Sequence, residues 1–240
     1  MSVEDESEAL HRKVRAFARG AGDGNATFDS LAVAIAQYQA RYSPGYARLV
    51  DAKNSALDTL ASVPAVPTDA FRIARISTFP PADDVATFAT SGTTASQSGH
   101  HHFRTLETYA ELSLRAGSWA LRRSDDQRCT VVALAPVPGD PGRSSLGYMM
   151  RLFMEHWDGR ALDGGAFDGD AADRWLASAD GVDVEGLTHA GAVARVRGES
   201  SLVLATSFAL VHLVDALKGR RIELSPDSVV MQTGDRKSVV

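Results

Sequence analysis

The 240-residue chain has a single cysteine, Cys129, so an intrachain disulfide framework is excluded. A reducing, cytoplasmic setting is expected. Basic charge is in deficit: 25 Lys and Arg stand against 30 Asp and Glu, for a net charge of −5. Without a basic stripe to follow a phosphate backbone, nucleic acid is not expected as the main partner. No apolar run approaches the length of a bilayer span, so no integral membrane segment is expected. The N-terminus, MSVEDESEAL, lacks the basic-then-apolar pattern of a signal peptide. What is present is an ordinary globular composition, 44% hydrophobic. The length suits one large domain, or a core with an appendage.

The first quarter is helical in pattern. Met1 to Ser7 is expected to be disordered, and a short helix is expected over Glu8 to Arg19. The glycine-rich stretch Ala21 to Asn25 ends it. Thr27 or Asp29 can cap a second helix, on which Phe28, Leu31, Ile35 and Tyr38 recur at helical spacing to about Tyr42. Ser43-Pro44-Gly45 breaks it, and a third helix is expected from Tyr46 to about Leu60. Val63 to Pro67 (VPAVP) reads as an extended linker, because proline restrains itself and the residue before it. Residues 1–66 therefore form a helical N-terminal region, and residues 67–234 an α/β core.

Strand and helix patterns alternate through that core. Strands are expected at Phe71 to Ile76, Val85 to Ala89, Thr130 to Leu134, Ser201 to Ala205 and Asp227 to Met231. Helices are expected from about Thr105 to Leu121, after a Ser144 or Ser145 cap, and from Thr206-Ser207 onward. A short helix at Ala171 to Ser178 would be anchored by Trp175, and a glycine-interrupted helix would lie within Val182 to Gly198. This alternation predicts an α/β fold with helices packed on a largely parallel sheet. Ligands of such sheets sit beyond the carboxyl ends of the strands. The polar turns at Thr90, Ser144, Thr206 and Thr233-Gly234 all follow strand candidates, and on one sheet edge they would converge.

The densest of these turns is Thr90-Ser91-Gly92-Thr93-Thr94, with four hydroxyls and one glycine in five positions. Such a loop can present N–H and O–H donors to a phosphate. The same residues also make ordinary turns, and composition alone leaves both readings open. His100 to His102 could place an imidazole near phosphate or form a polar segment without a ligand role. A metal site is not expected, since adjacent strand histidines point to opposite faces and no clustered ligands accompany them. Met149, Met150 and Met154 read as core filler, with a tunnel for an aliphatic chain as the alternative. Cys129 begins a strand candidate and reads as a buried structural residue.

Three blocks carry a family resemblance. They are Phe88 to Thr94 (FATSGTT), Arg143 to Trp157 (RSSLGYMMRLFMEHW), and Ser201 to Leu217 (SLVLATSFALVHLVDAL) followed by Glu223 to Gly234 (ELSPDSVVMQTG). In order and spacing they resemble the LuxE-type acyl-protein synthetases of the adenylate-forming (acyl-CoA synthetase and luciferase) superfamily. The resemblance implies a ligase that uses ATP and Mg2+ to activate a fatty acid or related carboxylate as an acyl-adenylate. A thiol then takes the acyl group, and an acyl reductase or acyl-transferase is the implied protein partner. It places the β- and γ-phosphates on Ser91, Gly92, Thr93 and Thr94 with Thr90, and the adenine and ribose near Thr233 and Gly234. Ser144, Ser145 and Tyr148 would face the acyl-adenylate region with Thr206 and Ser207, and Met149 and Phe153 would line the acyl pocket. The chain departs from the family at Ala95, where a further glycine is usual, and in lacking a lysine shortly afterwards. Within the superfamily, a phenylacetate-CoA-ligase-like enzyme is the rival. Outside it, the rival is a non-catalytic nucleotide- or acyl-binding module.

The family continues into a lid that bears a catalytic lysine and an acceptor cysteine, and this chain stops at Val240. Its tail, Asp235 to Val240 (DRKSVV), is what GAT CGG AAG AGC GTC GTG encodes, the start of a common sequencing adapter. The tail is therefore expected to be adapter read-through on a truncated gene, and the fragment is not expected to complete the reaction. Re-sequencing the locus from genomic DNA should replace the codons after Gly234; a genuine stop after Val240 overturns the expectation.

Overall fold

A computed structural model describes residues 2–21, 27–90, 98–121, 128–139, 144–158 and 174–234. The chain divides into two compact units, Met1–Arg115 and Ala116–Val240, so position 67 falls inside the first of them. Among the described residues no helix is long and apolar enough to cross a membrane.

The first unit is built on helices α1 (Val3–Ala18), α2 (Phe28–Tyr42) and α3 (Pro44–Ala52). Helix α1 starts well before Glu8, which corrects the expected disorder of the N-terminus. Ser2 and Asp5 form a reciprocal capping box, and Glu4, Asp5 and Glu6 place negative charge on the first turn. Thr27 caps α2 as expected. Helix α3 ends at Ala52, short of Leu60, because the chain turns through Asn54 and Leu57, both at positive φ. Gln37 donates to the Leu57 carbonyl at 2.9 Å and holds that turn. Ala36, Tyr46, Val50 and Leu57 bury together, and Val63 and Val66 of the VPAVP segment pack against them.

The stretch expected as a strand at Phe71 to Ile76 instead carries a short helix, α4 (Ala70–Ile73). Its alternating pattern is too short to separate one helical turn from a strand. Strand β1 (Ala86–Ala89) is present, but its partner is β2 (His100–Phe103), antiparallel, in a two-stranded sheet of its own. Phe88, Phe103 and Tyr109 cluster on this hairpin with ring centroids 5.2–5.8 Å apart. Helix α5 (Glu107–Leu121) follows β2, and the division between the units falls within it.

The second unit contains a parallel sheet in the order β3-β6-β7: β3 (Cys129–Leu134), β6 (Ser200–Thr206) and β7 (Val229–Thr233). Every residue of β3 is buried, Cys129 included, because segments of the chain cover both faces of the strand and close over its outer edge. One face, through Val132, Leu134, Val203 and Ala205, packs on Leu187 and Ala190 of α7 (Val184–Arg197) and Ala209 of α8 (Ser207–Leu217). Alternation sends Val131, Ala133, Leu202 and Leu204 to the other face. Helix α6 (Ser145–Phe153) runs into a π-helical turn (Met154–Asp158) that packs against β3. Helix α7 is continuous rather than glycine-interrupted. Asp183 caps its start, and Gly198 at φ 68° ends it in the left-handed region.

The expected helix at Ala171 to Ser178 is replaced where it is described. Trp175 forms a parallel bridge to Ala133, and Ala177–Ser178 (β4) pairs antiparallel with Gly181–Val182 (β5). The Leu176 N–H donates to the Ala133 carbonyl at 2.7 Å, so an exposed sheet edge outcompetes a weakly patterned helix.

Gly117 of α5 is a point of close aromatic packing in this unit. A Cβ there would stand 2.6 Å from the Trp157 ring and 2.7 Å from Phe153, whose rings lie 4.5 Å apart. Gly117→Val should therefore destabilise the unit by about 1–3 kcal/mol through overpacking. Chemical denaturation measures this, and an unchanged midpoint refutes the close approach.

Candidate functional site

Parallel strands β6 and β7 finish side by side, with Thr206 opposite Thr233. Thr206 leaves the strand in an extended conformation and caps α8, its hydroxyl accepting the Ala209 N–H at 3.1 Å. Ser207 begins the helix and is buried. Its hydroxyl accepts from Gln232 Nε2 at 3.0 Å and reaches the Thr233 carbonyl at 3.5 Å. Gly234 follows at φ 130°, and a Cβ on it would lie 3.2 Å from Ser207 Oγ. Thr206, Ser207, Thr233 and Gly234 are thus brought together at the carboxyl ends of two strands, beside a helix N-terminus. Gln232 belongs to the same group and was missed, because an isolated glutamine in a strand gives no signal before the register is known.

Ser144 caps α6, accepting the Gly147 N–H at 3.0 Å. Ser145 and Tyr148 lie half-buried in the first turns of that helix, with Met149 also half-buried. Met150 is fully buried and Phe153 stacks on Trp157, so both are core. Of the four turns expected on one edge, those led by Ser144, Thr206 and Thr233 follow strands of the parallel sheet. Thr90 does not: it follows β1 of the separate hairpin.

Thr90 closes the neck of that hairpin. Its N–H donates to the Gly99 carbonyl at 2.9 Å, and its hydroxyl accepts the Gly99 N–H at 2.9 Å. Ser91, Gly92, Thr93 and Thr94 lie outside the described residues, as do Ala95, Arg143 and the tail Asp235 to Val240. The loop leads from β1 to β2, a strand not expected from the pattern, before α5 begins. Of the histidines on β2, His101 faces Phe71 at 4.3 Å, and burial pushes its imidazole below the ordinary value. His102 turns to the other face, where Nδ1 is 2.9 Å from Asp84 Oδ2.

Asp84 is the hub of a polar cluster not foreseen from the sequence. Arg75 grips its carboxylate with two hydrogen bonds, 2.6 Å and 2.9 Å long, and His102 adds a third contact. The guanidinium foremost, and His102 after it, hold the Asp84 carboxyl at about 2 against an ordinary 3.8. Its contribution to stability is therefore present above pH 4 and lost as the pH falls through about 2. Carboxyl-detected NMR should find an Asp84 midpoint near 2 that rises towards 3.8 in Arg75→Met. A wild-type midpoint at 3.8 or above refutes the cluster.

Among the described residues no group of three or more His, Cys, Asp or Glu is arranged to hold a metal ion. No family model, curated protein or solved structure matches the chain.

Proposed function

We propose that the chain binds ATP and serves the activation of a carboxylate, a fatty acid or a relative of one, as its acyl-adenylate. The observation that supports this reading most is the meeting of Thr206-Ser207 with Gln232-Thr233-Gly234 at the ends of adjacent parallel strands. Paired turns of this kind offer hydroxyl and amide donors at the edge where nucleotides bind in α/β sheets. The donor set suits a nucleotide: small polar side chains and a glycine leave backbone accessible, and the α8 N-terminus favours anionic groups.

Adenylation brings a carboxylate anion against an already anionic phosphate. Attack on the α-phosphate forms the acyl–phosphate bond as the bond to pyrophosphate breaks, so the site must offset charge as it builds. In this reading Thr206 and Ser207 orient the nucleotide near the adenylate and Thr233 and Gly234 approach the adenosine; the assignment of the outer phosphates to Ser91 to Thr94 rests on the sequence resemblance alone. Mg2+ would enter with the nucleotide and neutralise phosphate charge. Ser144, Ser145 and Tyr148 would lie towards the acyl group.

Calorimetric titration with MgATP and with a non-hydrolysable acyl-adenylate analogue tests the reading. The intact chain should bind both. Ser91→Ala/Thr93→Ala should weaken MgATP by about tenfold or more, the scale of lost charge-assisted hydrogen bonds. Gly234→Val should weaken the analogue while α8 stays folded. Absence of nucleotide binding overturns the function, and unchanged binding by the double variant overturns the phosphate placement alone.

A further inference from the structure

The first unit, Met1–Arg115, carries a half-open cavity of about 300 Å³ that the reading above does not use. Its apolar walls come from Leu10 and Val14 of α1, Ile35 and Tyr38 of α2, and Phe79 and Phe103. Its polar groups include Arg104, His11 and Thr108. No acidic side chain lines it.

The acids nearest these groups are already matched. Glu8 and Glu107 lie 2.9 Å and 3.4 Å from the Arg15 guanidinium, and Asp84 is held by Arg75. Arg15 and His11 both close on the Thr108 hydroxyl, at 2.9 Å and 2.8 Å. Arg104 differs from its neighbours. Its guanidinium meets the neutral Ser7 hydroxyl at 3.2 Å, and among the described residues no carboxylate pairs with it. A guanidinium presents a planar fork of donors that one hydroxyl cannot satisfy and that a carboxylate matches in shape.

We propose that this cavity binds a small organic carboxylate with a single-ring apolar body, its carboxylate on Arg104 and its ring among Leu10, Val14, Phe79 and Phe103. Size, polarity and charge each narrow the ligand. At about 30 Å³ for each water-sized group, the volume holds about ten non-hydrogen atoms, the size of one substituted ring. Aromatic walls favour a ring, which they can meet edge-on or offset. One unpaired cation calls for one negative charge. Burial holds the His11 imidazole below its ordinary value, so it adds a hydrogen-bonding group rather than a second fixed cation. An inorganic phosphate would leave the apolar walls uncovered.

The site is independent of the nucleotide reading, and its test keeps the two apart. p-Toluate, its neutral isostere p-toluamide, and inorganic phosphate are titrated into the full chain by calorimetry, with the His11 ring followed by NMR. p-Toluate should bind one to one and shift the His11 signals. p-Toluamide and phosphate should each bind at least about tenfold more weakly, the scale of one charge-assisted contact. Arg104→Met should lose about as much, with MgATP affinity and the unfolding midpoint unchanged. Val14→Phe, which fills the cavity and keeps Arg104, should also abolish binding. The proposal is overturned if p-toluate fails to bind at millimolar concentration or binds no better than the amide or phosphate. Full affinity in either variant overturns it as well.

Discussion

A fully buried carboxylate sits at the margin of the parallel sheet. Asp158 accepts the Val131 N–H at 3.1 Å, and the Arg174 guanidinium, itself buried, lies 3.1 Å from the same oxygen. Arg174 Nη1 is off the angle of a hydrogen bond, so the contact is one of charge with charge. Strand β3 has β6 on one side only, and its outer N–H and C=O groups would otherwise be left without partners in a dry interior. Asp158 satisfies the first, and the Leu176 N–H satisfies the Ala133 carbonyl. A buried pair of this kind adds little net stability, yet removing one partner typically costs about 3–5 kcal/mol. It acts mainly as a specification: it fixes which segment closes the edge of β3.

The two units solve the same problem by different means. In the second, continuous apolar strands are buried between helices, and polar groups are pushed to the strand ends, where the candidate site lies. In the first, the core is a set of helix contacts and an aromatic hairpin, and the acids nearest the cavity are matched in local pairs. Asp84 with Arg75, and Glu8 and Glu107 with Arg15, leave the cavity walls free of negative charge. Arg104, on the cavity wall, meets the Ser7 hydroxyl and, among the described residues, no carboxylate.

The elements readable in the sequence were those with strong periodicity or a clear cap. Thr27 announced α2, Thr206 announced α8, and the runs TVVAL and SLVLA announced β3 and β6. The polar turns after them could be placed because strand ends in an α/β layer share an edge. The failures came where tertiary partners decided. Ser2 and Asp5 form a box that reaches across a stretch too polar to look helical. His100 to Phe103 became a strand because β1 needed a partner, not because three histidines favour one. Trp175 went to a sheet edge that no local pattern reveals. The Asp84 cluster and the cavity bring together residues remote in sequence, so neither leaves a trace in spacing or composition.

The neck formed by Thr90 and Gly99 has an evolutionary consequence. Two hydrogen bonds across one residue pair fix where the intervening segment leaves the hairpin and where it returns. The entropy of bringing those ends together is met by the strands and does not depend on what lies between them. A lineage could exchange the Ser91 to Thr94 hydroxyls for other chemistry and leave the foundation of the segment intact. Thr90 has a part of its own within the hydroxyl run, because its side chain belongs to the frame of the hairpin.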